Sequence, residues 1–210
     1  MLTQLSLSQF LEELSSKSPA PGGGSVAALS GALGAALDAM ICNLTIGKKK
    51  YAEVEDEMRL LLSRAEALTT SFSELVDLDT DAFNKVMEAR ALPKETDDQK
   101  ALRDSAIQQA TKEAALVPLR VMRLSVDALA VTKAAAEKGN VNSISDAGVS
   151  ALLLRSAAEG AALNVRINLT SITDQEFVGW QTNEMISLLR TAKNMSDEVV
   201  AFVDKAILQS

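Results

Sequence analysis

Three aspartates crowd one short stretch, Asp77-Leu78-Asp79-Thr80-Asp81, in a chain that contains no histidine. The two facts bear on each other. Without histidine, Ser-His-Asp and Cys-His nucleophile systems are excluded within the chain, as are zinc sites with imidazole ligands. Proton transfer then falls to Asp, Glu, Lys, Tyr, Cys or water. On a helix Asp77 and Asp81 share a face and repel by about 0.2–0.5 kcal/mol, whereas Asp79 falls near the opposite side. A solvated acidic turn and an active-site carboxylate both fit this pattern. A calcium loop would use Asp77, Asp79, Asp81 and Glu88, the last at the twelfth position of such a loop. That loop needs glycine at its sixth position, where this chain has Ala82.

Four other groups carry chemistry. Gly22-Gly23-Gly24-Ser25 precedes a helical pattern, so its free backbone N–H groups and the helix dipole would suit an anion. The run lacks the Gly-Lys-Ser/Thr ending of a nucleotide loop, and a tight turn explains the glycines equally well. Lys48, Lys49 and Lys50 stand where the same helix ends. They either offset its dipole or hold a polyanionic tail. Asn164 and Asn168 are four apart among Ala, Leu, Val and Ile, so they share a helical face. Their amides need partners, either a ligand or a neighbouring helix. Cys42 reads as a small core residue, and Tyr51 and Trp180 stand too isolated to interpret.

The elements positioning these residues follow from composition and spacing. Hydrophobic residues make up 47% of the 210, but only 3% are aromatic, so the core must be built mainly from Ala, Leu, Val and Ile. With 4 Pro and 10 Gly, little interrupts helix formation. The fold expected is all-α, a single-domain helical bundle over residues 1–210 with about five main helices. A short helix around Leu5–Ser16 ends before Ser18-Pro19-Ala20-Pro21. The second helix runs from Ser25, read as its N-cap, to about Thr45 and stops near Gly47. Val26, Leu29, Leu33, Leu37, Met40 and Leu44 form a large apolar stripe on it. Gly31 and Ala27, Ala35 and Ala39 line the other side, which predicts a long Ala/Gly-rich central helix buried all round. Long helices follow at about 53–89 and 97–138, the second predicted to kink at Pro118. Another opens in Asn142–Asp146 and reaches about Leu169. The last follows a capping box at Thr173–Glu176 and reaches about Ile207.

The formal charge of −7 argues against nucleic acid as partner. The second helix is long and apolar enough for a membrane span. However, Asp38 sits mid-segment, where charge is costly in lipid, so a buried helix with no membrane role is expected. One cysteine and a start without a basic signal region predict a cytoplasmic protein.

Taken in order, these segments resemble one family. Pro21-Gly-Gly-Gly-Ser-Val-Ala-Ala, Thr45-x-Gly47-Lys48-Lys49, Leu75-Val-Asp77-x-Asp79-x-x-Ala-Phe83 and Leu92-Pro93-Lys94 are similar to its N-terminal half. Val117-Pro118-Leu119, Gly139-Asn140, Ser145-Asp146, Asn164-Val-x-Ile-Asn168-Leu and Ile172-Thr-Asp174-x-x-Phe177 are similar to its C-terminal half. The family is the cyclodeaminase domain of formimidoyltransferase-cyclodeaminase, with the related bacterial cyclodeaminases and methenyltetrahydrofolate cyclohydrolases. The resemblance implies a homodimeric helical enzyme acting on a tetrahydrofolate, often polyglutamylated, with no permanently bound cofactor and no metal. The expected reaction converts 5-formimidoyltetrahydrofolate to 5,10-methenyltetrahydrofolate and ammonia. The alternative is the cyclohydrolase interconversion of methenyl- and 10-formyltetrahydrofolate. A non-catalytic folate- or protein-binding dimer is the alternative of another class.

The resemblance assigns the catalytic position to the Asp77-x-Asp79 segment without choosing between the two. It implies Lys48 and Lys49 for the folate glutamates, and Asn140, Asn164 and Asn168 as further substrate contacts. The chain carries no transferase segment, so a separate formimidoyltransferase would load the substrate. Asp38 stands where a small or apolar residue is expected, and the sequence offers no account of it.

Overall fold

A computed structural model describes residues 1–209, and its main elements are six α-helices. They are α1 (Leu7–Leu14), α2 (Gly23–Asn43), α3 (Glu55–Ala91), α4 (Asp97–Lys138), α5 (Ile144–Leu169) and α6 (Gln175–Leu208). Short 3-10 turns at Leu2–Gln4, Lys49–Val54 and Val141–Ser143 join or precede them, and no strand occurs among the described residues. The all-α bundle expected from composition is therefore what forms.

Local chemistry sets the helix ends. Ser6 with Gln9 and Thr96 with Gln99 form capping boxes at the heads of α1 and α4. Asp174 caps α6 by accepting the Phe177 N–H, so the cap lies one residue beyond the expected Thr173. Gly47, at φ 77°, turns the chain after α2. Helix α4 runs through Pro118 as one helical element.

Helix α2 packs against α3, α4 and α5 and is the central helix that the sequence predicts. Its small face allows close approach: a Cβ on Gly31 would lie 2.3 Å from Cε1 of Phe72, which is fully buried on α3. The core also differs from the expectation of a helix buried all round. Val26, Leu33, Met40 and Leu44 are exposed, Leu33 to 51%. The small residues make the helix–helix contacts inside the bundle, and of the large stripe Val26, Leu33, Met40 and Leu44 are left outside while Leu29 packs at the core's edge.

The expected N-cap is also revised. Gly22 caps α2, and Ser25 lies inside the helix with its hydroxyl turned towards α3.

Asp38 is fully buried among α2, α4 and α5. It accepts Thr132 Oγ1 at 2.9 Å on Oδ2 and Ser150 Oγ at 2.8 Å on Oδ1. Burial dominates these hydrogen bonds and pushes its pKa up to about 7. Cys42 is buried as expected, its thiol pushed up to about 11 by burial and then by the Asp38 charge.

Candidate active site

The head of α2 is open on the side facing α3 and α5. Its first N–H groups have no intrahelical acceptor, and Gly22 has no side chain to cap them. Asp79, from the middle of α3, supplies the missing acceptor. Its Oδ2 lies 3.2 Å from Ser25 Oγ, and the Ser25 backbone N–H donates to the same carboxylate. The Ser25 hydroxyl also reaches Val76 O at 2.9 Å and Thr80 Oγ1 at 3.4 Å. Burial raises the Asp79 pKa above the ordinary carboxylate value, and the Ser25 hydrogen bonds offset only part of that rise.

A cleft of about 310 Å³ opens beside this carboxylate. Pro19, Ala20 and the glycines Gly22, Gly23 and Gly24 form one wall. Asp79, Phe83, Val86, Met87 and Arg90 from α3 form the second, and Asn164, Ile167 and Asn168 from α5 the third. The spacing 79, 83, 86, 87, 90 is one helical face, which is why α3 lines the cleft along its length.

Both asparagines direct an N–H into protein. Asn164 Nδ2 donates to Gly160 O at 3.0 Å, and Asn168 Nδ2 donates to Ala114 O at 3.0 Å. Among the described residues, each Oδ1 is left without a partner. The interhelical hydrogen bonding expected of them is realised for Asn168, which reaches α4, and both still present an acceptor.

Asp77 points elsewhere. Its Oδ1 accepts the Leu2 N–H and its Oδ2 accepts Thr3 Oγ1 at 3.0 Å, so it fastens the N-terminal turn onto α3. Two residues apart on a helix is about 200° of rotation, so Asp77 and Asp79 cannot serve one cleft. Residues 77–88 are helical throughout, leaving no loop to wrap a calcium ion.

Lys48 and Lys49 are exposed at the far end of α2, about 30 Å along its axis from the cleft. Asn140 lies at that end too, donating from Nδ2 to Leu44 O at 3.2 Å and from its backbone N–H to Thr45 Oγ1 at 2.8 Å. The structure thus gathers Gly22, Gly23, Gly24, Ser25, Asp79, Asn164 and Asn168, and separates them from Asp77, Lys48, Lys49 and Asn140. Arg90, Met87 and Phe83 as cleft residues were missed as a set. The signal was present in their spacing of 4, 8 and 11 from Asp79.

Residues 6–204 match the family model described as formiminotransferase-cyclodeaminase. The chain is 42% identical over 198 residues to a methenyltetrahydrofolate cyclohydrolase of Methylorubrum extorquens, covering 94% of this chain and 95% of that protein. It is 35% identical to mouse formimidoyltransferase-cyclodeaminase over 97% of its own length, spanning 38% of that larger protein. The crystal structure of formiminotetrahydrofolate cyclodeaminase from Thermotoga maritima superposes with a TM-score of 0.88. It is 31% identical in sequence, and the match covers 99% of this chain and 100% of that one.

Proposed function

The chain belongs to the formiminotransferase-cyclodeaminase family, and on that premise we propose that it closes 5-formimidoyltetrahydrofolate to 5,10-methenyltetrahydrofolate, releasing ammonia, in the cleft at the head of α2. It is an enzyme of folate one-carbon chemistry. The observation carrying the site assignment is the half-buried carboxylate of Asp79 at the cleft wall, whose raised pKa suits it to take and return a proton.

The proposed step starts from the protonated formimidoyl group. N10 attacks its carbon, and the N10 proton passes to the Asp79 carboxylate. Asp79 then returns that proton to the amino group on the tetrahedral carbon. The C–N bond to that group breaks, ammonia leaves, and the methenyl cation bridges N5 and N10. The same carboxylate would stabilise that cation once deprotonated. The free Oδ1 atoms of Asn164 and Asn168 would accept from the donor edge of the pterin.

A second reading has its own support, because the full-length relative at 42% identity is named a methenyltetrahydrofolate cyclohydrolase. Water then replaces ammonia: Asp79 takes a water proton as the hydroxyl adds to the methenyl carbon. It gives that proton to N5 as the ring opens, and the hydroxyl proton is released to solvent. Offering purified protein each substrate separately decides between them. Methenyl absorbance appears from 5-formimidoyltetrahydrofolate in the first case, and decays faster than the uncatalysed rate in the second. Neither change would refute both.

The quaternary proposal is a homodimer through α2 and α5. These helices lie side by side, and each carries an exposed apolar row, Val26, Leu33 and Met40 on one and Val149, Leu152 and Leu163 on the other. Apolar rows exposed on two adjacent helices are the kind of surface that an interface covers. A two-fold axis crossing α2 near its middle would bring the Lys48–Lys49 end of each chain towards the other's cleft, giving the lysines access to a polyglutamate tail. Formimidoyl loading would fall to a separate transferase, and a reducing cytoplasm fits the single buried cysteine.

A further inference from the structure

The lysines that the family resemblance implies for the anionic end of the substrate stand a helix length away from the cleft. Within the chain itself a different cation faces it. Among the described residues, Arg90 is the one cationic side chain lining the cleft. Among the described residues its guanidinium makes no ion pair and no hydrogen bond, although its backbone carbonyl accepts from Arg103 Nε at 3.0 Å. What sets this unpaired guanidinium apart from other unpaired cations is its place at the edge of the cleft that holds Asp79.

The spacing is informative. Arg90 lies eleven residues beyond Asp79 on the same helix, about 16 Å along the axis. Helical side chains lean towards the N-terminus, so the guanidinium reaches back and shortens that span. A p-aminobenzoyl-glutamate arm measures roughly 10 Å from N10 to its first carboxylate by ordinary bond lengths. Between the two charged groups the wall is Phe83, Val86 and Met87, an apolar strip suited to an aromatic ring.

Resting on the folate reading above, we infer that Arg90 binds the α-carboxylate of the first glutamate, so that Asp79 and Arg90 hold the two ends of the substrate along one face of α3. A guanidinium fork matches a carboxylate bidentately. Arg90 is thus a substrate-positioning residue for the monoglutamate, separate from any binding of further glutamates by Lys48 and Lys49.

Arg90 also occupies the last turn of α3, where a cation offsets the helix dipole. The test must separate that role from substrate binding. The probes are 5-formyltetrahydrofolate and the same compound lacking glutamate, 5-formyltetrahydropteroate, with dissociation constants measured calorimetrically on the full chain. Wild type is expected to bind the glutamate form about 10- to 100-fold more tightly. In Arg90→Gln that preference collapses to within about 2- to 3-fold, while Arg90→Lys recovers part of it. Equal affinity of wild type for the two probes overturns the inference, as does a preference that survives Arg90→Gln. Turnover is scored separately. A protein that keeps Arg90-dependent binding but processes neither folate substrate would refute the proposed reaction and leave the carboxylate subsite standing.

Discussion

Asp79 and Gly24 touch: a Cβ added to Gly24 would lie 2.1 Å from Asp79 Oδ1 and 2.6 Å from Oδ2. The absence of a side chain at position 24 is therefore what lets the carboxylate seat itself on the head of α2. Alanine inside a helix ordinarily stabilises by about 1 kcal/mol relative to glycine. Gly24→Ala should instead displace Asp79, lowering kcat/KM at least about 10-fold with no gain in thermal stability. A raised Tm with unchanged turnover would argue that Asp79 has no part in the reaction.

Asp79→Asn removes the proton carrier while keeping the shape and an acceptor for Ser25. A fall of about 100- to 10,000-fold in kcat is expected, the range typical of general acid–base groups. Steady-state rates on the folate substrates measure it, and the helical circular dichroism signal should persist.

The pH profile follows from the direction of the Asp79 shift. Asp79 must be ionised to accept the first proton, so kcat should climb with pH through its folded pKa and level above it. Burial puts that limb higher than an exposed aspartate would. The limb should vanish from the residual activity of Asp79→Asn. A profile with the same limb in both proteins would trace it to another group.

Asp77→Asn should leave kcat within about 2-fold and act on stability. Asp77 secures Leu2 and Thr3 at a partly exposed position, so a loss on the order of 1 kcal/mol is expected. Denaturant titration measures the loss, and limited proteolysis should report a loosened N-terminus. A kcat loss matching that of Asp79→Asn would return Asp77 to the chemistry.

Asp38 predicts a pH-dependent stability. Its pKa is raised from 3.8 to about 7 in the folded protein. Between those values the folded chain keeps a proton that the unfolded chain releases. Stability therefore falls as pH rises through this window, by at most about 1.4 kcal/mol per pH unit, and levels above pH 7. Asp38→Asn cannot ionise and retains partners for Thr132 and Ser150. Its urea midpoint should depend less on pH between 5 and 7 and exceed that of wild type at pH 8.

The exposed rows on α2 and α5 predict an association. Leu33 and Leu163 are 51% and 63% exposed. Wild type should sediment as a dimer, and the double variant Leu33→Asp with Leu163→Asp as a folded monomer. A monomeric wild type would refute the dimer.

Most of the helices were legible in the sequence because caps, prolines and 3.6-residue periodicity act over a few residues. The missing histidines restricted proton transfer to a short list of side chains, and the ordered motifs identified the family. What the sequence could not decide depended on which elements meet. It could not tell Asp77 from Asp79, since the two share a segment but face opposite ways once α3 is docked. It grouped Lys48, Lys49 and Asn140 with the site, though they stand at the far end of α2. It read the large stripe of α2 as buried, because amphipathic spacing does not say whether the large or the small face turns inward. Asp38 had no explanation until Thr132 and Ser150, distant in sequence, were brought against it. Local interactions specify helices, but long-range packing specifies which side chains share a cavity, and catalysis depends on the cavity.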